Sequence, residues 1–245
     1  MHGRGGQRSE TLRAMPVFQE AGYTALLVSW RNDGHAPPSA DGKYGLGGTE
    51  WCDVEAAIRY AVQHGATDIL LMGWSMGAAI VLQALDRSAF RDRLRGVVLD
   101  SPVVDWLPTL EQRGVEMGLP KLLTRVPLAL LAGRAHGVSG SAEPIDFASL
   151  DWVCRAEESS VPILLLHSAD DDYALATATA TATATASRLL AAKRPDIVTY
   201  HEWTHARHAR LWNYDSARFE REISAWLDSL KAVPAQTPAP AAAAN

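Results

Sequence analysis

The chain has 245 residues, of which 47% are apolar and 21% are charged, a composition typical of a globular protein with one substantial core. Its formal charge of −5 comes from interspersed acids and bases, which argues against a nucleic-acid or membrane-surface partner and favours a small neutral or apolar one. Two distant cysteines exclude a disulfide framework and a cysteine metal cluster. Without a signal-like start or a long apolar run, we expect a cytoplasmic protein with no membrane segment.

Short apolar runs alternate with helical patterns along the chain. This alternation predicts an α/β fold, a mostly parallel sheet whose strands are joined by helical crossovers. The strand candidates are almost continuously apolar, as strands covered by helices on both faces must be. They are Thr24–Val28, Asp68–Met72, Val97–Leu99, Ile163–Leu166 and Ile197–Tyr200.

Three helices are predicted to pack on this sheet. Residues 49–63 and about 215–231 carry apolar side chains at helical spacing, and a further apolar helix begins near Ser75. We assign residues 1–232 to one domain. The Pro/Ala-rich tail, residues 233–245, is too poor in bulky apolar side chains to order itself.

Two segments depart from the alternation. Residues 104–160 include a Leu-rich stretch and no strand pattern, although they lie between two consecutive strands. An insertion of this kind favours a lid over a pocket, and a crossover with additional helices is the alternative. Residues 174–186 are dominated by an Ala-Thr repeat, which predicts a loop or a weak helical extension.

The strongest chemical signal is Gly73-Trp74-Ser75-Met76-Gly77. It directly follows a predicted strand and precedes an apolar helix, the setting of a nucleophile elbow with Ser75 as nucleophile. The glycines remove Cβ atoms that would collide in so sharp a turn. The backbone N–H of Met76, at a helix N-terminus, is placed to stabilise an oxyanion. The alternative is a serine that only caps a helix.

A nucleophilic serine needs a base and a carboxylate that orients it. Carboxylate-rich residues 167–173 follow one predicted strand, and residues 200–208, which hold three histidines, follow the next. The chain order Ser, Asp, His is satisfied by Ser75, Asp171 and His208. Several alternatives to the acid and the base stay open, namely Asp100, Asp170 and Asp172 for the acid and His205 for the base.

These segments together carry a family resemblance. From about residue 2 to residue 230 the chain resembles α/β-hydrolases of the prolyl-oligopeptidase-like and serine-aminopeptidase-like group. Residues 167–175 are similar to the family's His-Gly-x-x-Asp-x-x-Val-Pro segment, which places the acid at Asp171, and Ala206-Arg207-His208 is similar to its histidine loop. His2-Gly3-Arg4-Gly5 looks like the His-Gly loop, so the resemblance implies a second oxyanion N–H from Arg4 or its neighbour.

The chain also differs from the family pattern. Ala174-Leu175 stands where the family has Val-Pro, and the chain opens on the His-Gly loop, which implies that the family's first strands are absent. Arg31, Asn32 and Asp33 follow the first predicted strand, where they either shape the substrate pocket or cap a turn. His136 is expected at the surface.

We therefore expect a serine hydrolase that forms a covalent acyl-enzyme without a cofactor or metal. Its expected partner is a small ester, less readily an amide, with an apolar group. Two other functions stay open: a non-catalytic binding protein of this fold, and an acyltransferase or thioesterase-like enzyme.

Overall fold

The structure is a computed structural model that describes residues 1–133, 140–173 and 182–232. In this part of the chain four strands form one parallel sheet, in the spatial order β1-β2-β3-β4. This confirms the predicted α/β fold class. The strands are β1 (Ile69–Trp74), β2 (Leu94–Asp100), β3 (Ile163–Ser168) and β4 (Val198–Trp203).

Helices connect and cover these strands. None of those in the described ranges combines the length and the apolar character needed to cross a membrane. The α-helices are α1 (Met15–Glu20), α2 (Trp51–Gln63), α3 (Met76–Arg87), α4 (Trp106–Glu116), α5 (Arg125–Ala132), α6 (Ala182–Lys193), α7 (Leu211–Tyr214) and α8 (Ser216–Ala232). Short 3₁₀ helices occupy Arg8–Ala14, Arg91–Arg93, Lys121–Leu123 and Ala156–Glu158.

The core lies on both faces of the sheet, because successive side chains of a strand point in opposite directions. On β2, Val97 and Leu99 pack in a cluster with side chains of α2, α3 and α6, whereas Val98 packs with side chains of α1 and α8. The predicted helices at 49–63, after Ser75 and at 215–231 correspond to α2, α3 and α8. All three bury apolar side chains; α3 and α8 contact the sheet as expected, whereas α2 packs mainly on α3.

The prediction of a strand at Thr24–Val28 is wrong. These residues are not part of the sheet, and half of the Leu26 side chain is exposed. At its carboxyl end β1 is bonded to Met1: the N–H of Trp74 donates to the Met1 carbonyl at 3.0 Å. Residues 24–28 line a cavity together with residues 68–72 of the β1 region. A β-prone run forms a strand only where its backbone pairs with a neighbouring strand, and these residues form no ladder with β1.

The two unusual segments are partly described. Residues 104–160 contain α4, the 3₁₀ turn Lys121–Leu123 and α5, and no strand within their described residues. Their function as a lid stays a prediction. Residues 182–186 of the Ala-Thr repeat begin α6, which agrees with a helical extension. The rest of the repeat, His136 and the tail from residue 233 lie outside the described residues.

Candidate active site

Ser75 lies in the turn between β1 and α3, in a strained conformation with φ at 51°. Gly73 and Gly77 allow the chain to pass this closely. A Cβ atom on Gly73 would lie 2.5 Å from the backbone of Gly77 and Ala78, and one on Gly77 would lie 2.4 Å from the carbonyl oxygen of His2. Any larger residue at either position would therefore displace backbone.

Three side chains from three turns at the carboxyl edge of the sheet meet in one row. The Nε2 atom of His208 lies 2.7 Å from the Oγ atom of Ser75, and its Nδ1 atom lies 2.7 Å from Oδ2 of Asp171. The Asp171 side chain is fully buried, and its second oxygen accepts the N–H of Tyr173 at 2.8 Å. The three residues named from the sequence thus form a continuous hydrogen-bonded row.

The charge of Asp171 follows from its surroundings. Burial raises the pKa of this carboxyl, but hydrogen bonds from His167 and His208 outweigh burial and hold it well below its usual range. Asp171 is therefore ionised at neutral pH and can only accept hydrogen bonds. It follows that Nδ1 of His208 carries the proton and that Nε2 is free to accept the hydroxyl of Ser75.

The neighbouring aspartates and His205 take different positions. Asp170 accepts the backbone N–H of His205 at 2.6 Å, and Asp172 accepts the backbone N–H of His208 at 2.9 Å as well as the guanidinium of Arg207. Both carboxylates therefore tie the histidine loop to the acid turn. The side chain of His205 is 76% exposed, and its nearest ion-pair partner is Asp170, at 4.0 Å.

Asp100 ends β2, next to β3, and is completely buried. Its Oδ1 atom accepts the Ser101 hydroxyl at 2.9 Å; Oδ2 has no well-formed hydrogen bond among the described residues, and the Trp74 indole contributes only weakly. Burial raises the pKa of Asp100 to about 6, against the opposing charge of Arg13. Ser101 also accepts the N–H of Ala209, at 3.1 Å, so Asp100 reaches the histidine loop only indirectly.

The loop formed by residues 2–6 passes close to Ser75. A Cβ atom on Gly3 would lie 3.3 Å from the Cβ and 3.9 Å from the Oγ of Ser75. The loop is held by the N–H of Gly5, which donates to Asp33 at 3.0 Å. Arg4 therefore lies in a turn near Ser75 and lines the same cavity as Met76, whose N–H begins α3 and has no partner within the helix.

Ser75 opens onto a cavity of about 340 Å³. Its lining includes the aromatic side chains of Trp106, on α4, and Tyr173, as well as the charged residues Arg4, Glu10 and Arg210. The Tyr173 ring also stacks on the imidazole of His208, with ring centroids 4.5 Å apart and planes 23° apart. The cavity is thus more polar than the Leu-rich insertion suggested.

Some contacts were not foreseen. His167 shares the Oδ2 atom of Asp171 with His208, and Ser187 binds the other side of the His167 ring. His167 stands in the segment similar to the family's acid motif, but nothing in the sequence connects it to Ser187. Of Arg31, Asn32 and Asp33, only Asp33 supports the site: Arg31 pairs with Asp53, and Asn32 binds Ser39 and the Lys43 carbonyl.

The fold is shared with solved structures of low sequence similarity. A monoacylglycerol lipase of Paleococcus ferrophilus is 20% identical over 94% of this chain and 93% of its own, with a TM-score of 0.61. An esterase of Pyrococcus furiosus is 17% identical over 94% and 80%, with a TM-score of 0.64. An esterase from Rhodococcus sp. is 18% identical over 94% and 89%, with a TM-score of 0.61.

The amino-acid sequence alone leads to the same fold. A search of curated proteins found no significant match. The family model described as alpha/beta hydrolase fold matches residues 1–134, more than half of the chain, including the turn at Ser75. The chain therefore belongs to the α/β-hydrolase fold family.

Proposed function

We propose that this protein is a serine hydrolase that cleaves an ester bond through a covalent acyl-enzyme. The observation that carries the proposal is the row Ser75, His208, Asp171, with 2.7 Å at each of its two hydrogen bonds. Ser75 is the nucleophile, His208 the general base and Asp171 the carboxylate that orients it. The esterase and lipase names of its structural neighbours agree with this activity.

The proposed reaction has two steps. Ser75 Oγ attacks the carbonyl carbon while Nε2 of His208 takes the hydroxyl proton, and the ionised Asp171 stabilises the resulting imidazolium. The tetrahedral intermediate then expels the alcohol, which receives that proton. A water molecule attacks the acyl-enzyme with His208 again as base, and the acid product leaves Ser75 restored.

The backbone N–H groups of Met76 and Arg4 are proposed to stabilise the oxyanion. Met76 contributes a free N–H at the first turn of α3, reinforced by the helix dipole. The loop of Arg4 lies against Ser75 and is held by the bond from Gly5 to Asp33 and by the preceding Met1, which is bonded to β1. Two such donors on one side of the attacked carbonyl are the usual arrangement for acyl transfer.

The substrate is proposed to be a small ester with an apolar group. That group would lie against Trp106 and Tyr173, on the side of the cavity next to α4. The insertion that carries α4 also exposes several large apolar side chains, which supports its function as a lid. They are Leu107, Val115, Met117, Leu119, Leu122, Leu123, Val126 and Leu130.

A fluorophosphonate probe tests the nucleophile directly. We expect the folded protein to be labelled at Ser75, identified by peptide mapping, and to hydrolyse short-chain 4-nitrophenyl esters. The Ser75→Ala variant should lose both properties while its thermal transition stays unchanged, since only one hydroxyl is removed. Equal turnover by the wild type and Ser75→Ala, or no labelling of Ser75, would contradict the proposal.

A further inference from the structure

His167 forms a second hydrogen-bonded arm behind the acid. It lies on β3 and is completely buried. Its Nε2 atom lies 2.8 Å from Oδ2 of Asp171, the oxygen that also binds His208, and its Nδ1 atom lies 2.8 Å from the hydroxyl of Ser187. Ser187 is buried on α6. One carboxylate oxygen therefore serves two imidazoles.

The direction of each hydrogen bond can be assigned. Burial lowers the pKa of His167, so its ring is neutral and carries a single N–H. Asp171 is an acceptor only, so that proton is on Nε2, and Nδ1 must accept the hydroxyl of Ser187. On one side of Asp171, Ser187 thus donates a hydrogen bond to His167 and His167 donates one to Asp171. On the other side, Ser75 donates to His208 and His208 donates to Asp171.

The charged groups around His167 preserve this arrangement. Arg188 of α6 and His208 both disfavour a positive charge on the ring, whereas Asp171 favours one. The carboxylate of Glu202, on β4, also attracts a positive charge on His167, but it forms an ion pair with Arg188 at 2.5 Å. With desolvation added, the neutral ring prevails over the attraction of Asp171.

We propose that His167, held in one tautomer by Ser187, is a positioning residue that fixes Asp171 and shares its charge with His208. This inference rests on the proposed function, in which His208 is the base. Because His167 donates to the same oxygen, it weakens the hold of Asp171 on the imidazolium of His208. It also prevents the carboxylate from rotating away from His208.

The test compares His167→Leu with His167→Gln. Leucine removes both the donor and the acceptor of the ring, whereas glutamine offers an amide N–H in the place of Nε2 and an amide oxygen that can accept the hydroxyl of Ser187. We measure kcat and kcat/KM for a 4-nitrophenyl ester across pH, and we titrate the His208 ring by NMR. His201→Leu, on β4 and outside the row, controls for the loss of a histidine.

With His167→Leu, the acid limb of kcat/KM and the NMR midpoint of His208 should move upward by about one pH unit. The value of kcat should fall about tenfold because Asp171 is less well held. His167→Gln should restore most of both changes, and His201→Leu should show neither. Thermal unfolding of every variant checks that the fold is retained.

The inference is overturned if neither the acid limb of kcat/KM nor the NMR midpoint of His208 moves upward in His167→Leu. It is also overturned if His167→Gln shows the same changes as His167→Leu. If His167→Leu does not fold, Ser187→Ala tests the same inference, since part of the His167 population would then turn an unprotonated Nε2 toward Asp171. A smaller upward movement supports the inference, and no movement overturns it. The NMR titration needs no turnover, so it separates this result from a failure of the proposed function.

Discussion

Asp100 and Asp171 are two buried carboxylates at the same edge of the sheet, at the ends of adjacent strands, yet their charges are controlled in opposite directions. Asp171 accepts two imidazole N–H groups and one backbone N–H, and its pKa lies well below the usual range. Asp100 accepts one well-formed hydrogen bond, from Ser101, and burial raises its pKa to about 6. Burial alone favours the neutral form of both.

The two carboxylates therefore differ in pKa because they differ in the number of hydrogen-bond donors around them. An ionised carboxylate survives in a buried position only where hydrogen bonds replace the lost water. Asp171 has that replacement and can stabilise a positive imidazolium at neutral pH. Asp100 lacks it, so it is poorly suited to that task even though its strand end lies beside that of β3.

The largest effect is expected from Asp171→Asn. An amide in this position presents either a donor or a weaker acceptor to Nδ1 of His208. The His208 ring is then no longer held in the form protonated on Nδ1, and it loses the negative charge of Asp171 beside it. We expect kcat/KM for a 4-nitrophenyl ester to fall on the order of 10³-fold or more. Asp100→Asn should retain at least about a tenth of the activity. Similar losses in both variants would show that the two carboxylates share the function.

A smaller effect, on stability, is expected from Asp100→Asn. The folded-state pKa of Asp100 is raised to about 6, so the folded protein binds a proton that the unfolded chain has already lost. In the wild type, protonated Asp100 therefore contributes to the free energy of unfolding at pH 4, and this contribution is lost as the pH rises through about 6. The variant does not titrate, so its free energy of unfolding relative to wild type should increase by up to about 3 kcal/mol between pH 4 and pH 7. Denaturant unfolding at several pH values measures this, and a difference that does not vary with pH would contradict it.

The smallest effect is expected from Ser101→Ala. Removal of the hydroxyl takes a donor from Asp100 and an acceptor from the N–H of Ala209. We expect a loss of about 1–2 kcal/mol at neutral pH. The pKa of Asp100 should rise further, so its stability transition should extend to higher pH. Ser101→Gly, which also relieves the positive φ of 49° at this position, should show the same pH change with a smaller loss of stability.

Much of this site follows from local sequence patterns. The strand before Ser75, the apolar helix after it and the two glycines predict a sharp turn, because each depends on residues close together in the chain. The same holds for α2 and α8, whose apolar stripes are visible in the sequence. The prediction at Thr24–Val28 failed because a strand also needs pairing with a neighbouring strand, which the local pattern does not specify, and these residues form no ladder with β1.

The sequence by itself determined the order of the four strands, the helices α2, α3 and α8, the turn at Ser75 and the choice of Asp171 and His208 as candidates. Only the tertiary structure distinguished Asp171 from Asp100, since both are aspartates at strand ends. It also brought Ser187 against His167, 20 residues away, and His208 against Ser75, 133 residues away. The physical reason is that local conformation depends on neighbours in the chain, whereas the charge of a buried group depends on the donors that the fold places around it.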